Sequence, residues 1–239
     1  MSVVAIIPAR WGSTRFPGKP LAAIAGKPMI QHVWERVSAA DGVDDVIVAH
    51  DDQRIGAVIE ALGGRARMTR GDHETGSDRL AEVAERLDHD IVINVQGDVP
   101  LVRPEDLTAL AQLLRDEPGV QVASLCYPMS AAEAENPHHV KVVCAANGDA
   151  LYFSRSPIPY PRDAAAARYL HHVGIFAYRR ETLLGFTSLP VPDEERAEGL
   201  EQLRLLAAGI AIRMIEVEPT GPGVDTPDEL AQVEAILAG

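Results

Sequence analysis

Short uninterrupted apolar runs alternate with amphipathic helical stretches through the first half of the chain, and that alternation leaves few folds open. SVVAIIP, DDVIVAH, DIVINVQ and VQVASLCYP are of strand length, rich in β-branched residues and bounded by turn residues, as strands buried on both faces are. Between them, KPMIQHVWERVSAA sets Ile30, Val33, Trp34 and Val37 on one helical face, with Pro28 suited to the first turn. DDQRIGAVIEALGG closes on glycine. TGSDRLAEVAERL aligns Leu80, Val83, Ala84 and Leu87, and PEDLTALAQLLRD supplies another helix. Strand and helix in strict turn predict an α/β, Rossmann-like fold with a mostly parallel central sheet and helices on both faces.

The pattern then changes. HVKVVCAANGDALYFSR is two strand-like runs joined by NGD, a hairpin signal. YLHHVGIFAY reads as a strand, AEGLEQLRLLAAG as a helix, IAIRMIEVE as a strand and PDELAQVEAILAG as a last helix. This predicts a parallel half over residues 1–128 and a mixed half with antiparallel strands over 129–239. No repeat or linker separates them, so one compact unit is expected, and the length suits a sizeable core.

Charge narrows the partners. A net charge of -13 disfavours nucleic acid and anionic membrane surfaces, both of which whole-molecule repulsion would exclude. No apolar run approaches the ~18 residues of a membrane span, and MSVVAIIPAR lacks the features of a signal peptide. Cys126 and Cys144 have no metal-ligand spacing and read as reduced residues of a cytoplasmic protein. An anionic substrate would therefore need a local cluster of cations. PARWGSTRFPGKP, directly after the first strand, is one: it holds Arg10, Arg15 and Lys19, with the Ser13 and Thr14 hydroxyls between them.

Ligands of open parallel sheets bind outside the carboxyl ends of the strands. Four segments fall there: PARWGSTRFPGKP, HDD, QGDVP and GVDTP. The first fails the P-loop pattern, because five residues separate Gly12 from Gly18 and Pro20 stands where a magnesium-binding hydroxyl would. What remains is backbone N–H groups, hydroxyls and three cations, a set suited to a triphosphate. Asp98 and Asp225 each sit in a sharp turn beside glycine and proline. As hard oxygen donors facing a triphosphate they suit Mg²⁺. Taken alone, Asp225 is equally a turn residue, with Thr226 as helix cap before Pro227.

At the level of whole motifs, IIPARWGSTRFPGKPLAAIAGKPMIQHVWERV resembles the opening of the CTP-dependent sugar-acid cytidylyltransferases, above all the CMP-Kdo synthetase family. The similarity continues in order through MTRGDHETGSDRLAEV, INVQGDVPLV, VKVV, ALYFSRSPIPYPR, HHVGIFAYRRETL, LEQLRLLAAGI and GPGVDTPDEL. The short stretch between IPYPRD and HHVGIF resembles the compact, capsule-associated form. The fold implied is of the nucleotidyltransferase A type, and the reaction is transfer of CMP from CTP to a small acidic acceptor, Kdo first, with loss of pyrophosphate.

The resemblance also implies roles. Arg10, Ser13, Arg15 and Lys19 would hold the CTP phosphates, Asp72, Ser77, Arg79 and Gln96 would frame the nucleotide, and Asp98 and Asp225 would carry magnesium. Gln96, Arg155, His172, Phe176, Glu201 and Gln202 would line the acceptor pocket. Lys19, Arg15, Asp98 and Asp225 would carry the catalysis, by in-line attack of an acceptor oxygen on the α-phosphorus. The hairpin and its flanking strands resemble a dimerisation region, so a homodimer is expected.

Two positions depart from the family. Val99 stands where an acid is usual, and Phe176 where a tyrosine is usual. Losing a phenol from the sugar pocket would cost about 0.5–1.5 kcal/mol of binding. Both changes leave a phosphonate such as phosphonoformate, or an aminated Kdo analogue, open as acceptor. A non-catalytic nucleotide-binding protein and a uridylyl- or guanylyltransferase of sugar phosphates are the rivals of other classes. Adjacent histidines on a strand point to opposite faces, so neither His138/His139 nor His171/His172 is read as a metal site. Without the resemblance, Glu201 and Gln202 read as the polar face of a helix, and DEERAE, residues 193–198, as a solvated run.

Overall fold

Each apolar run named above becomes a strand. The structure, a computed structural model, describes residues 1–12, 16–73 and 75–238. Its elements in chain order are β1 (Val3–Ala9), the short pair β2 (Ala23–Ile24) and β3 (Lys27–Pro28), α1 (Met29–Ser38), β4 (Asp45–His50), α2 (Gln53–Ala61), β5 (Arg65–Met68), α3 (Gly76–Ala84), β6 (Ile91–Asn94) and α4 (Pro104–Asp116). There follow β7 (Val122–Met129), α5 (Ala131–Ala134), β8 (Lys141–Cys144), β9 (Ala150–Ser154), β10 (Tyr169–Arg179), α6 (Arg180–Phe186), α7 (Asp193–Glu198), α8 (Leu203–Ala207), β11 (Ile212–Glu216) and α9 (Pro227–Ala238).

Two units are formed. Residues 1–112 and 220–239 make one, and residues 113–219 the other. The boundaries differ from a division at 128/129, because β7 belongs with the later strands and α9 returns to the first unit. In the first unit the main strand order is β6-β1-β4-β5, with every pairing along it parallel, and β2 and β3 form a separate antiparallel pair. All seven residues of β1 are buried, as expected for the inner strand of a parallel sheet. β5 has no apolar run to announce it: RARM is a partly exposed strand that pairs with β4 at the end of the strand order.

The second unit is mixed. β11 pairs with β7 in parallel, β7 with β10 antiparallel, and β8 antiparallel with both β10 and β9. β8 and β9 are the hairpin that NGD predicts, with Gly148 at φ 86° in its turn. The α/β class, parallel in the main with antiparallel strands in the later part, is therefore as the sequence indicates.

Two local expectations are corrected. AEGLEQLRLLAAG is not one helix: Gly199 adopts a left-handed conformation at φ 62° and ends α7, and α8 begins only at Leu203. Glu201 and Gln202 thus lie in the turn between helices, off any helical polar face. DEERAE is not wholly solvated either. Glu195 is buried and receives both Nε and Nη2 of Arg204, at 2.8 and 2.5 Å, and a buried carboxylate survives only with such a partner. No helix among the described residues is long and apolar enough to cross a membrane.

Candidate active site

The first unit gathers its chemistry at the carboxyl ends of β1, β4 and β6. The loop after β1 is closed at its base by Gly18 N–H donating to Trp11 O at 3.0 Å. Gly18 has φ 72°, and a Cβ there would stand 3.0 Å from the Trp11 ring. Only glycine meets both conditions without strain. Trp11 is fixed in turn by its backbone N–H, which donates to Asp51 Oδ1 at 2.8 Å, and by the Arg54 guanidinium, 3.4 Å from its ring centroid. Trp11 is thus an anchor of the cationic loop. Ser13 and Arg15 lie outside the described residues, and Arg10 is half-buried at the end of β1.

Lys19 follows immediately, in a single 3₁₀ turn, Lys19–Leu21, with Pro20 buried behind it. Its ammonium donates to Asp98 Oδ2 at 2.8 Å and to Asp225 Oδ1 at 2.9 Å. Burial by itself lowers the pKa of this ammonium. The charges and hydrogen bonds of Asp98 and Asp225 outweigh it, and the net direction is upward from 10.5. The two carboxylates are brought together by neighbouring backbone. Val224 N–H donates to Asp98 O at 2.8 Å, and Val224 packs with Ile24, Met29, Leu101 and Val233 in one apolar cluster. Gly97 permits the turn at Asp98, since a Cβ there would lie 2.6 Å from Pro8 O. Asp225 is held by Glu229, whose Oε2 accepts the N–H groups of Asp225 and Thr226 at 2.7 and 2.8 Å. Thr226 closes a capping box on α9 by accepting Glu229 N–H at 3.3 Å. Thr226 as cap and Asp225 as site residue are therefore compatible.

The remaining nucleotide candidates are disposed unequally. Asp72 is exposed, 3.6 Å from Arg70 Nε. Ser77 is buried in the first turn of α3. Arg79 is 0% exposed; its guanidinium donates to Thr69 Oγ1 and reaches Asp51 Oδ2 at 3.4 Å. It braces Asp51, and through Asp51 the Trp11 anchor. Gln96 is half-buried, its amide 3.5 Å from Asn94 Oδ1. Val99 is half-buried beside Gly223.

The second unit carries the acceptor candidates. Arg155 directs its guanidinium at backbone carbonyls: Nε donates to Glu198 O at 2.7 Å, Nη1 to Pro137 O at 3.1 Å and Nη2 to Gly199 O at 3.4 Å. Neutral acceptors orient the group and leave its charge uncancelled. Lys141, fully buried, donates to the carbonyls of Arg155 at 2.5 Å and Asn136 at 3.1 Å, and burial lowers its pKa. His172 is 6% exposed; its Nε2 is 2.9 Å from Ser124 Oγ and its Nδ1 3.4 Å from Gln202 Nε2. Burial, with a smaller effect of His171, pushes its pKa down to about 3. Phe176 sits edge-on to His172 at 5.1 Å and stacks on Tyr178 at 5.7 Å, so its ring is held by packing. Burial, then the nearby charge of Glu201, raises the Tyr178 phenol. His171 turns to the other face of β10, against Tyr127 and His139.

Several supporting groups had little or no sequence signal. Glu229 was readable from T-P-D-E as a capping box. Lys141 stood out only as one of the chain's three lysines inside an apolar strand. Asp51, Ser124 and Glu198 had no signal beyond position.

The similarities are strong across the whole chain. Residues 4–213 match the family described as Cytidylyltransferase. A 3-deoxy-manno-octulosonate cytidylyltransferase of Escherichia coli is 58% identical over 235 residues, covering 98% of this chain and 96% of that one. One from Syntrophotalea carbinolica is 47% identical over 249 residues, covering 100% of both. A solved structure of CMP:2-keto-3-deoxy-manno-octonic acid synthetase complexed with CTP has a TM-score of 0.98 and 57% identity, covering 100% of this chain and 99% of that one.

Proposed function

The chain belongs to the cytidylyltransferase family, and from that premise we infer that it transfers CMP from CTP to 3-deoxy-manno-octulosonate (Kdo), releasing pyrophosphate. The observation that carries this reading is the convergence of Lys19, Asp98 and Asp225 beside a cationic loop at the strand ends, where a bound polyphosphate needs cations and a metal.

The donor set fits a divalent cation. Asp98 Oδ2 and Asp225 Oδ1 already share one positive centre, the Lys19 ammonium, at 2.8 and 2.9 Å. These two carboxylates would hold Mg²⁺. Among the described residues no group of three or more His, Cys, Asp or Glu side chains is placed for a metal; a two-carboxylate site completed by phosphate and water oxygens is the usual magnesium arrangement. When bound, the ion supplies neutralisation of phosphate charge and a lower pKa for the attacking hydroxyl.

The chain's own residues supply the rest. Arg10, Ser13 and Arg15 bind phosphate oxygens, with the loop pinned by Trp11 and Asp51. Lys19 passes from its carboxylate partners to the departing pyrophosphate, whose charge it stabilises as the bond to the α-phosphorus breaks. Asp72, Ser77 and Gln96 frame the nucleotide, and Arg79 does so through Asp51. On the acceptor side Arg155 offers its carbonyl-oriented guanidinium to the Kdo carboxylate. Glu201 and Gln202 meet hydroxyls, His172 supports Gln202 from behind, and Phe176 presents an apolar wall. The acceptor oxygen attacks the α-phosphorus in line, with no covalent enzyme intermediate.

A pyrophosphate-release assay with Kdo and each of CTP, UTP, GTP and ATP tests the reading. Release with CTP alone, and only when Kdo is present, is expected; release with UTP or GTP in preference, or without Kdo, would overturn it. We further propose a cytoplasmic homodimer formed through the second unit, where Leu151 on β9 and Tyr160 expose 62% and 85% of their surface. Light scattering at twice the chain mass is the expected result, and a monomer at assay concentration would contradict it.

A further inference from the structure

Strand β10 carries an irregularity beside the acceptor candidates. Val173 pairs with Leu125, yet the next pairing joins Phe176 to Ser124, so Gly174 and Ile175 have no register partner on β7. Such bulges release backbone groups from the ladder and re-aim side chains. Ser124, fully buried, fills this one. Its Oγ lies 2.7 Å from Ile175 O, 3.2 Å from Val173 O and 2.9 Å from His172 Nε2.

The shortest contact of Ser124 Oγ assigns its proton. Ile175 O, at 2.7 Å, only accepts, so the single Ser124 hydroxyl proton goes there. What Ser124 Oγ has left for His172 is a lone pair, and His172 Nε2 must carry the hydrogen. A neutral imidazole carries one such hydrogen, which leaves Nδ1 as an acceptor. Its partner at 3.4 Å, the side-chain amide of Gln202, must donate, and the carbonyl oxygen of Gln202 is turned away from the ring. The ring packs between Phe153 at 4.7 Å and Phe176 at 5.1 Å, which offer no competing acceptor.

We propose that Ser124 is a positioning residue for the acceptor subsite: as the plug of the β10 bulge it fixes His172 in its Nε2–H form, and thereby fixes Gln202 with its carbonyl oxygen presented to a hydroxyl of the acceptor. This rests on the reading of Gln202 as acceptor-binding, with His172 behind it. Its consequence is selectivity, since a site that presents an acceptor atom favours a ligand with a hydroxyl there over one without. Ser124→Ala removes the lone pair that holds the ring form. Nδ1–H then becomes the favoured form, Gln202 must rotate its amide to accept from it, and the NH₂ group replaces the carbonyl in front of the ligand.

Two measurements on the full-length enzyme test this. In long-range ¹H–¹⁵N spectra of histidine-labelled protein, the wild type should show His172 neutral with Nε2 protonated, and Ser124→Ala should show Nδ1 protonated or exchange between the two forms. In steady-state kinetics Ser124→Ala should raise KM for Kdo by about tenfold with KM for CTP unchanged, and Ser124→Thr, which keeps the hydroxyl, should return KM for Kdo towards the wild-type value. An Nδ1–H or imidazolium form in the wild type overturns the proposal. So does an equal rise of both KM values, which marks general loosening, or an altered ring form with unaltered KM for Kdo. The spectra do not depend on turnover: a wild type with the expected ring form that fails to consume Kdo rejects the function and not the relay.

Discussion

The ammonium of Lys19 lies 2.8 Å from the carboxylate of Asp98, 79 positions later in the chain. Asp225 completes the contact from the start of the last helix, at 2.9 Å. Removing the cation by Lys19→Met should lower kcat by about 10²–10³-fold, as loss of a group stabilising the leaving charge does. Stopped-flow pyrophosphate release checks it, and a kcat within threefold of wild type would remove Lys19 from the catalytic set.

The same lysine predicts a pH signature in stability. Its pKa in the folded chain is raised above 10.5, so its stabilising contribution is complete below that value and disappears as pH rises through the folded pKa. Both carboxylate partners are partly exposed, Asp225 by 47%, which limits the contribution to about 1 kcal/mol or less. Urea unfolding of wild type and Lys19→Met should differ by a constant amount between about pH 7 and about pH 9 and converge at higher pH.

Gly18→Ala strains a left-handed backbone position and presses a methyl against Trp11, 3.0 Å away. The expected cost is about 1–2 kcal/mol of stability. KM for CTP should rise because the loop loses its anchor, with KM for Kdo unchanged. Thermal unfolding and initial-rate kinetics together check this.

Arg155→Lys replaces a guanidinium oriented by three backbone carbonyls with a point charge that cannot bridge them. KM for Kdo should rise by about 10–100-fold, equivalent to about 1.4–2.7 kcal/mol, with CTP binding intact. Lys141→Met should produce a smaller change of the same kind, because Lys141 touches Arg155 only through its carbonyl.

His172 is buried neutral, its pKa pushed down to about 3. His171, also lowered, to about 4, is the neighbour whose protonation opposes that of His172. Because the unfolded chain takes up these protons near pH 6.5 and the folded chain does not, stability is full above that pH and falls as pH drops towards the folded values. A single such histidine gives a slope approaching about 1.4 kcal/mol per pH unit. His172→Asn should flatten the profile between about pH 6 and about pH 4; an unchanged slope would assign the loss to other groups.

Much of this was readable before any coordinates. Buried parallel strands write themselves as apolar runs, so β1, β4 and β6 were legible, whereas β5, polar and half exposed, was not. Gly199 shows why a helical period can mislead: one left-handed residue splits AEGLEQLRLLAAG and moves Glu201 and Gln202 into a turn. The types and positions of Lys19, Asp98 and Asp225 indicated phosphate and metal chemistry, but their convergence depends on the Val224–Asp98 backbone bond and the apolar cluster beneath it, which no local pattern encodes. Ser124 was invisible for a related reason, since its role exists only opposite a bulge on another strand. DEERAE looked solvated because the partner of Glu195, Arg204, is supplied by the next helix.

Calorimetric titration of CTP, with and without Mg²⁺, into the wild type and into Asp98→Asn and Asp225→Asn tests the carboxylate clamp most directly. Tight, magnesium-dependent CTP binding in the wild type, with the magnesium dependence lost in both variants while their folds persist, is the predicted result. Magnesium-dependent binding that survives unchanged in either variant would contradict it.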